Sequence, residues 1–134
     1  MTTQTPSNVR PLSPHLQVYK PQISSAMSIF HRLTGVALAV SIPLFFIWLT
    51  SLIEGPKVYN DIFLGYCHTL LGQIILWGVA WSYIYHFCCG IRHLLWDAGY
   101  FLSIKGLYLT GYAALGVSTF TTLVLGLKVY GLIP

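Results

Sequence analysis

Three long uncharged runs divide this chain. Leu33–Ile53 holds 21 residues without Asp, Glu, Lys or Arg, Ile62–Ile91 holds 30, and Leu107–Leu127 holds 21. About 20 apolar residues carry a helix across the hydrocarbon core of a bilayer. The pattern therefore predicts three membrane spans, at about 33–53, 64–91 and 107–127. Helical patterning in the second run continues to about Asp97, so that helix is longer than the membrane is thick and must tilt or protrude. Glu54–Asp61 (EGPKVYND) and Gly99–Lys105 read as short turn-rich loops, and Lys128–Pro134 as a stub. The first helix is expected to begin near Ser24 or Ser25, either of which can cap it. Residues 1–23 differ in kind. They are polar and carry Pro6, Pro11, Pro14 and Pro21, which argues against a continuous helix. They lack the apolar core of a signal peptide, and Arg10 alone makes a poor transit peptide. They read as an extended arm on the inner membrane surface or against a soluble partner, leaving residues 24–134 as one three-helix domain.

Small residues recur at helical spacing within each span: Gly35, Ala39 and Pro43; Gly65, Thr69 and Gly72; Gly111, Ala114, Ser118 and Thr122. Such stripes suit close helix packing, and Pro43 should bend the first helix. Composition agrees with the spans: 55% of residues are hydrophobic and 7% charged, against about 25% charged in soluble domains. The class is an all-α membrane protein. Net charge is +4, but Lys and Arg are scattered singly, so no nucleic-acid face is expected. Cys67, Cys88 and Cys89 match no metal spacing and no disulfide framework, and read as packing residues.

Candidate chemistry gathers in His86–Tyr100, HFCCGIRHLLWDAGY. His86, His93 and Asp97 fall on one helix face, with Gly90 a turn from His86 and able to leave room for a flat, bulky group. An intramembrane ionisable residue is a functional candidate by default, and a haem ligand is the sharp reading. The bland one is a histidine hydrogen-bonded to a neighbouring helix. His68 reads as interfacial. Lys and Arg weigh toward the N-terminal side (Arg10, Lys20, Arg32) and the second loop (Arg92, Lys105) over the first loop (Lys57) and the stub (Lys128). The positive-inside rule then sets the N-terminus and second loop inside and the C-terminus outside. His31 and Arg32 meet His86, His93 and Asp97 at that inner side. A b-type haem commonly takes axial histidines. The first span beyond Arg32 and the whole third span lack His and Met, so a second axial ligand would come from another subunit. Arg32 and His31 are placed to meet anionic propionates. The commoner alternatives are a snorkelling arginine at Arg32, a backbone-bonded hydroxyl at Ser28 and a His93–Asp97 salt bridge.

Two segments, RPLSPHLQVYKPQISSAMSIFHRLTG (Arg10–Gly35) and YHFCCGIRHLLWDAGY (Tyr85–Tyr100), closely resemble the cytochrome b membrane-anchor subunits of succinate dehydrogenase, respiratory complex II. The likeness spans nearly the whole chain and is weakest in Glu54–Asp61 and the third span. It implies half of a heterodimeric helical anchor bundle. A second three-helix anchor subunit shares one haem b and supplies the other axial ligand, while a flavoprotein and an iron–sulfur subunit dock on the inner face. By the family's H-x-x-x-G-x-R-H-x-x-x-D motif the axial ligand to the haem iron is His86. By its S-x-x-H-R motif Ser28 and Arg32 belong to the quinone site, with Ile29 as an apolar wall, and His31 and Arg32 lie near the propionates. The implied role is passing electrons from succinate to ubiquinone in the tricarboxylic acid cycle and respiratory chain. The chain has no flavin or cluster motif, so it cannot oxidise succinate alone. The expected setting is a bacterial cytoplasmic membrane, with a mitochondrial inner membrane as the alternative. Two other readings stay open: a fumarate reductase anchor working in reverse, and a haem-free membrane scaffold or small transporter. The latter would usually show broken helices or internal repeats.

Overall fold

The computed structural model describes Lys20 and residues 22–134, so the predicted N-terminal arm lies almost wholly outside the described residues. Three long helices, α1 (Ile23–Ile53), α2 (Leu70–Asp97) and α3 (Ile104–Val129), make the fold. Each is long and apolar enough to cross a membrane. At about 1.5 Å per residue they run from about 39 to about 46 Å, so each must tilt or protrude from a core of about 30 Å. α1 starts at Ile23 behind an extended Gln22 and has no side-chain cap. The serines expected to cap it lie inside its first turn instead. α1 continues through Pro43.

The second uncharged run departs from expectation. It is not one helix but a short irregular stretch followed by α2. Ahead of it, most of the expected loop Glu54–Asp61 is helical: a turn of helix at Pro56–Val58, a π-helical segment at Tyr59–Leu64 that runs into the uncharged stretch, and a further turn at Gly65–Cys67 lead into a break at His68–Thr69. The cause is local and polar. Thr69 turns extended, and its hydroxyl oxygen accepts the Gly72 amide at 3.0 Å while donating to the Tyr66 carbonyl at 2.7 Å. That is an N-cap, satisfying a donor a helix start leaves open. Gly72 permits the reversal, because a Cβ there would sit 1.9 Å from the Tyr66 oxygen. The Thr69 and Gly72 that resembled a packing stripe are a cap and its clearance. His68 is at the break itself, exposed.

α2 lies between the other two helices. Tyr85, fully buried, stacks on Trp81 with centroids 5.0 Å apart and donates its hydroxyl to the Met27 carbonyl of α1 at 3.3 Å. Toward α3, Trp81 Nε1 donates to Thr119 Oγ1 at 3.3 Å. α3 presents Gly111, Ala114 and Ser118 inward, as its stripe predicts. On α1 the expected stripe is not inward: Ala39 and Pro43 are exposed, and the buried residues are Met27, Thr34 and Ser51. Among the described residues only Met27, Tyr85, Cys89 and Ala114 form a buried apolar core. Large apolar side chains such as Val40, Ile53 and Leu123 face outward, as lipid or a partner helix would require.

Candidate functional site

The last turns of α2 meet the first turns of α1 at a layer of rings. His31 of α1 lies between His86 and His93 of α2, with centroids 4.2 Å from the first and 5.3 Å from the second. His86 sits about 16 Å along the helix from its Asp97 end. Its Nδ1 lies 3.2 Å from the His31 carbonyl oxygen and 3.3 Å from Thr34 Oγ1. A carbonyl oxygen can only accept. The Thr34 hydroxyl donates its proton to that same carbonyl at 2.8 Å, so toward His86 it offers a lone pair. Both neighbours being acceptors, the proton of the neutral imidazole is on Nδ1, and Nε2 carries the free lone pair. A hydrogen bond from one ring nitrogen to a backbone carbonyl is the usual way a metal-ligating histidine is oriented.

Gly35 backs this ring. A Cβ there would come within 3.0 Å of His86 Cε1. At Gly90, the glycine expected to leave room, a Cβ would meet no atom within 4 Å. Sequence reasoning placed Gly35 in a packing stripe and gave Thr34 no role. The available signal was T-G one residue after H-R, but which ring they face is settled across helices.

Beside the rings, the two helices frame a hollow of about 460 Å³, within the size range of small-molecule sites. Ser28 and Ile29 line it with Met27, Cys89, Arg92 and Trp96, as do His31 and His93. Arg32 does not; it is exposed outside the lining. The arginine of the hollow is Arg92, a residue sequence reasoning used for orientation alone. It is buried, donates from Nε to Thr110 Oγ1 at 3.0 Å and from Nη2 to the Leu107 carbonyl at 2.9 Å, and lies 4.0 Å over the Trp96 ring. Neutral acceptors and a π face hold this cation. The hollow is therefore electropositive. Among the described residues, buried His31 Nε2 and Trp96 Nε1 find no hydrogen-bond partner, and such atoms carry a desolvation cost until something supplies one. The His93 ring meets His31 and, edge-on, Trp96, rather than forming the salt bridge with exposed Asp97 that was the plain alternative.

Cys67, Cys88 and Cys89 are free thiols, Cys89 buried in the core with Met27 and Tyr85. Among the described residues no group of three or more His, Cys, Asp or Glu is gathered to hold a bare metal ion.

Residues 6–125 match the family described as succinate dehydrogenase/fumarate reductase transmembrane subunit. The chain belongs to this family. Relatives of the anchor family include the succinate dehydrogenase cytochrome b556 subunit of Rickettsia felis, 41% identical over 92% of this chain and 96% of that one. The cytochrome b560 subunit of Reclinomonas americana is 39% identical over 86% and 83%. A mitochondrial inner membrane protein of Saccharomyces cerevisiae is 38% identical over 87% of this chain and 60% of that one. With three spanning helices and bacterial and mitochondrial relatives, this family member is a multi-pass inner-membrane protein.

Proposed function

We propose that the chain is the cytochrome b anchor subunit of succinate dehydrogenase, with His86 as an axial ligand to haem b and the hollow beside it as part of the ubiquinone site. The observation that carries this is the committed His86 Nδ1. It leaves Nε2 free as a lone-pair donor, and the neighbouring rings of His31 and His93 line an electropositive hollow. The donor set suits haem better than a bare ion: a haem brings four nitrogens of its own and asks the protein for one or two. Bound there, haem would supply one-electron storage within the membrane.

His31 cannot be the second axial ligand. Its ring centroid lies 4.2 Å from that of His86, closer than the about 6 Å that a metal ion between two imidazoles would need. Met27 and Cys89, two sulfur donors near the rings, are packed in the core. By the family likeness, the second ligand would come from a second three-helix anchor subunit, whose docking would also cover outward apolar surface. His31, with its unpartnered Nε2, and Arg32 remain candidates to meet the propionates.

For the quinone, Ser28 donates a hydrogen bond to a carbonyl oxygen, Ile29 supplies an apolar wall, and a fixed arginine charge favours the more negative, reduced oxygen. We assign that charge to Arg32 by the family motif. Arg92 adds positive potential in the hollow itself. Electrons arrive from a flavoprotein and an iron–sulfur subunit docked on the inner face, where the N-terminus and second loop lie. A fusion reporter in Gly99–Lys105 should report inside and one at the C-terminus outside.

The test uses the purified complex. Ser28→Ala removes one hydrogen bond worth about 1 kcal/mol and should weaken ubiquinone reduction several-fold. Arg32→Leu should lower it tenfold or more. Succinate oxidation by an artificial acceptor drawing on the soluble subunits should persist in both. Normal quinone reductase rates and quinone affinity in both variants would move the site elsewhere.

A further inference from the structure

We infer that Thr34 is a positioning residue for His86: its hydroxyl, together with the His31 carbonyl, holds the imidazole by its Nδ1 proton and so sets the direction and donor strength of Nε2 toward the haem iron. This rests on the reading of His86 as axial ligand. Thr34 is buried, 52 positions from His86 in the chain and on another helix. A helical threonine often bonds back to a carbonyl one turn earlier for its own sake, and the 2.8 Å bond to His31 is of that kind. Here that bond has a second consequence. It spends the only hydroxyl proton, so the oxygen faces Nδ1 as an acceptor and cannot compete with it as a donor.

The His31 carbonyl stands at 3.2 Å and Thr34 Oγ1 at 3.3 Å from the same nitrogen. Both contacts are at the long end of the hydrogen-bond range, so one N–H is shared between two weak acceptors. Gly35 closes the side of the ring behind them, with 3.0 Å to a notional Cβ. Three successive elements of one helix, a carbonyl, a hydroxyl and a bare Cα, thus hold one ring of its neighbour. Acceptors on the far nitrogen raise the basicity of the ligating one. A more basic ligand favours the oxidised iron, so the pair should hold the haem potential down.

The experiment is redox titration of the haem in the purified whole complex, with haem content and the reduced-minus-oxidised spectrum taken on the same samples. Thr34→Val keeps the side-chain shape and removes the hydroxyl. It should retain haem with a raised midpoint potential, while Thr34→Ser, which keeps the hydroxyl, should titrate like the parent. Thr34→Ala, smaller at the same site, makes the same measurement if the valine variant does not assemble. An unchanged or lowered potential in the variants without the hydroxyl overturns the inference, as does a serine variant that shifts as far as they do. His86→Leu in the same series separates the two levels. If its haem content and spectrum are normal, the axial-ligand reading fails and this inference with it. If its spectrum is lost or altered while Thr34→Val titrates like the parent, only the role of Thr34 fails.

Discussion

The two ends of α2 are built from similar materials and finished differently. At its start, Gln73 donates to the Cys67 carbonyl at 2.6 Å and accepts from Trp77 Nε1 at 3.1 Å and from the Tyr130 hydroxyl. That cluster ties the broken segment, α2 and the end of α3 together, and its amide, indole and phenol all find partners within it. Near the other end, three imidazoles, an indole and a buried guanidinium stand close together, yet among the described residues His31 Nε2 and Trp96 Nε1 go unpartnered. A polar cluster that closes on itself stabilises helix packing. One that leaves buried groups open bears a desolvation cost that packing alone does not return. The contrast supports the proposal that a further group binds at the His86 end.

The strongest way to break this comparison is His86→Leu. It should remove or shift the b-type absorbance, read as a reduced-minus-oxidised spectrum of the purified complex, whereas His68→Leu at the far break should leave it intact. Arg92→Leu comes next. It strips the Thr110 hydroxyl and the Leu107 carbonyl of a buried charged donor, each such bond being worth about 1.5–3 kcal/mol, and should lower the unfolding midpoint in detergent. Arg92→Lys should recover part of the loss, since an ammonium lacks the fork that reaches both acceptors.

Gly72→Ala probes the closed end. Its Cβ would press on a backbone oxygen that cannot rotate away, so a loss of about 1–3 kcal/mol is expected, with haem content unchanged. The smallest effect belongs to Gln73→Leu. Interhelical hydrogen bonds in membranes average about 0.6 kcal/mol, so stability should fall slightly and the spectrum should match the parent. A haem shift from Gln73→Leu larger than from His86→Leu would reverse the assignment of the two ends.

Much of this was legible along the chain. The three apolar runs locate three helices because hydropathy is a local property that lipid reads directly. The small face of α3 is also local, and Gly111, Ala114 and Ser118 are buried as their spacing predicts. The break at His68–Thr69 was written as Thr-x-x-Gly but was masked by the length of the run around it. Gly35 and Arg92 were legible only in part, for a different reason. Both sit in motifs that name the right neighbourhood, while the partner of each side chain lies on another helix.

The sequence by itself determined the helices, the family, and the concentration of His, Arg and Ser near one end of the bundle. It did so because helix period and apolar length are carried by residues a few positions apart. Only the tertiary structure decided that His86 gives its Nδ1 proton to His31 and Thr34, that Gly35 backs the ring, and that Arg92 rather than Arg32 enters the hollow. Those outcomes depend on how far each helix is rotated and slid against the next. A rotation of about 100° exchanges one residue for its neighbour on the contact face, and no short stretch of sequence encodes that angle.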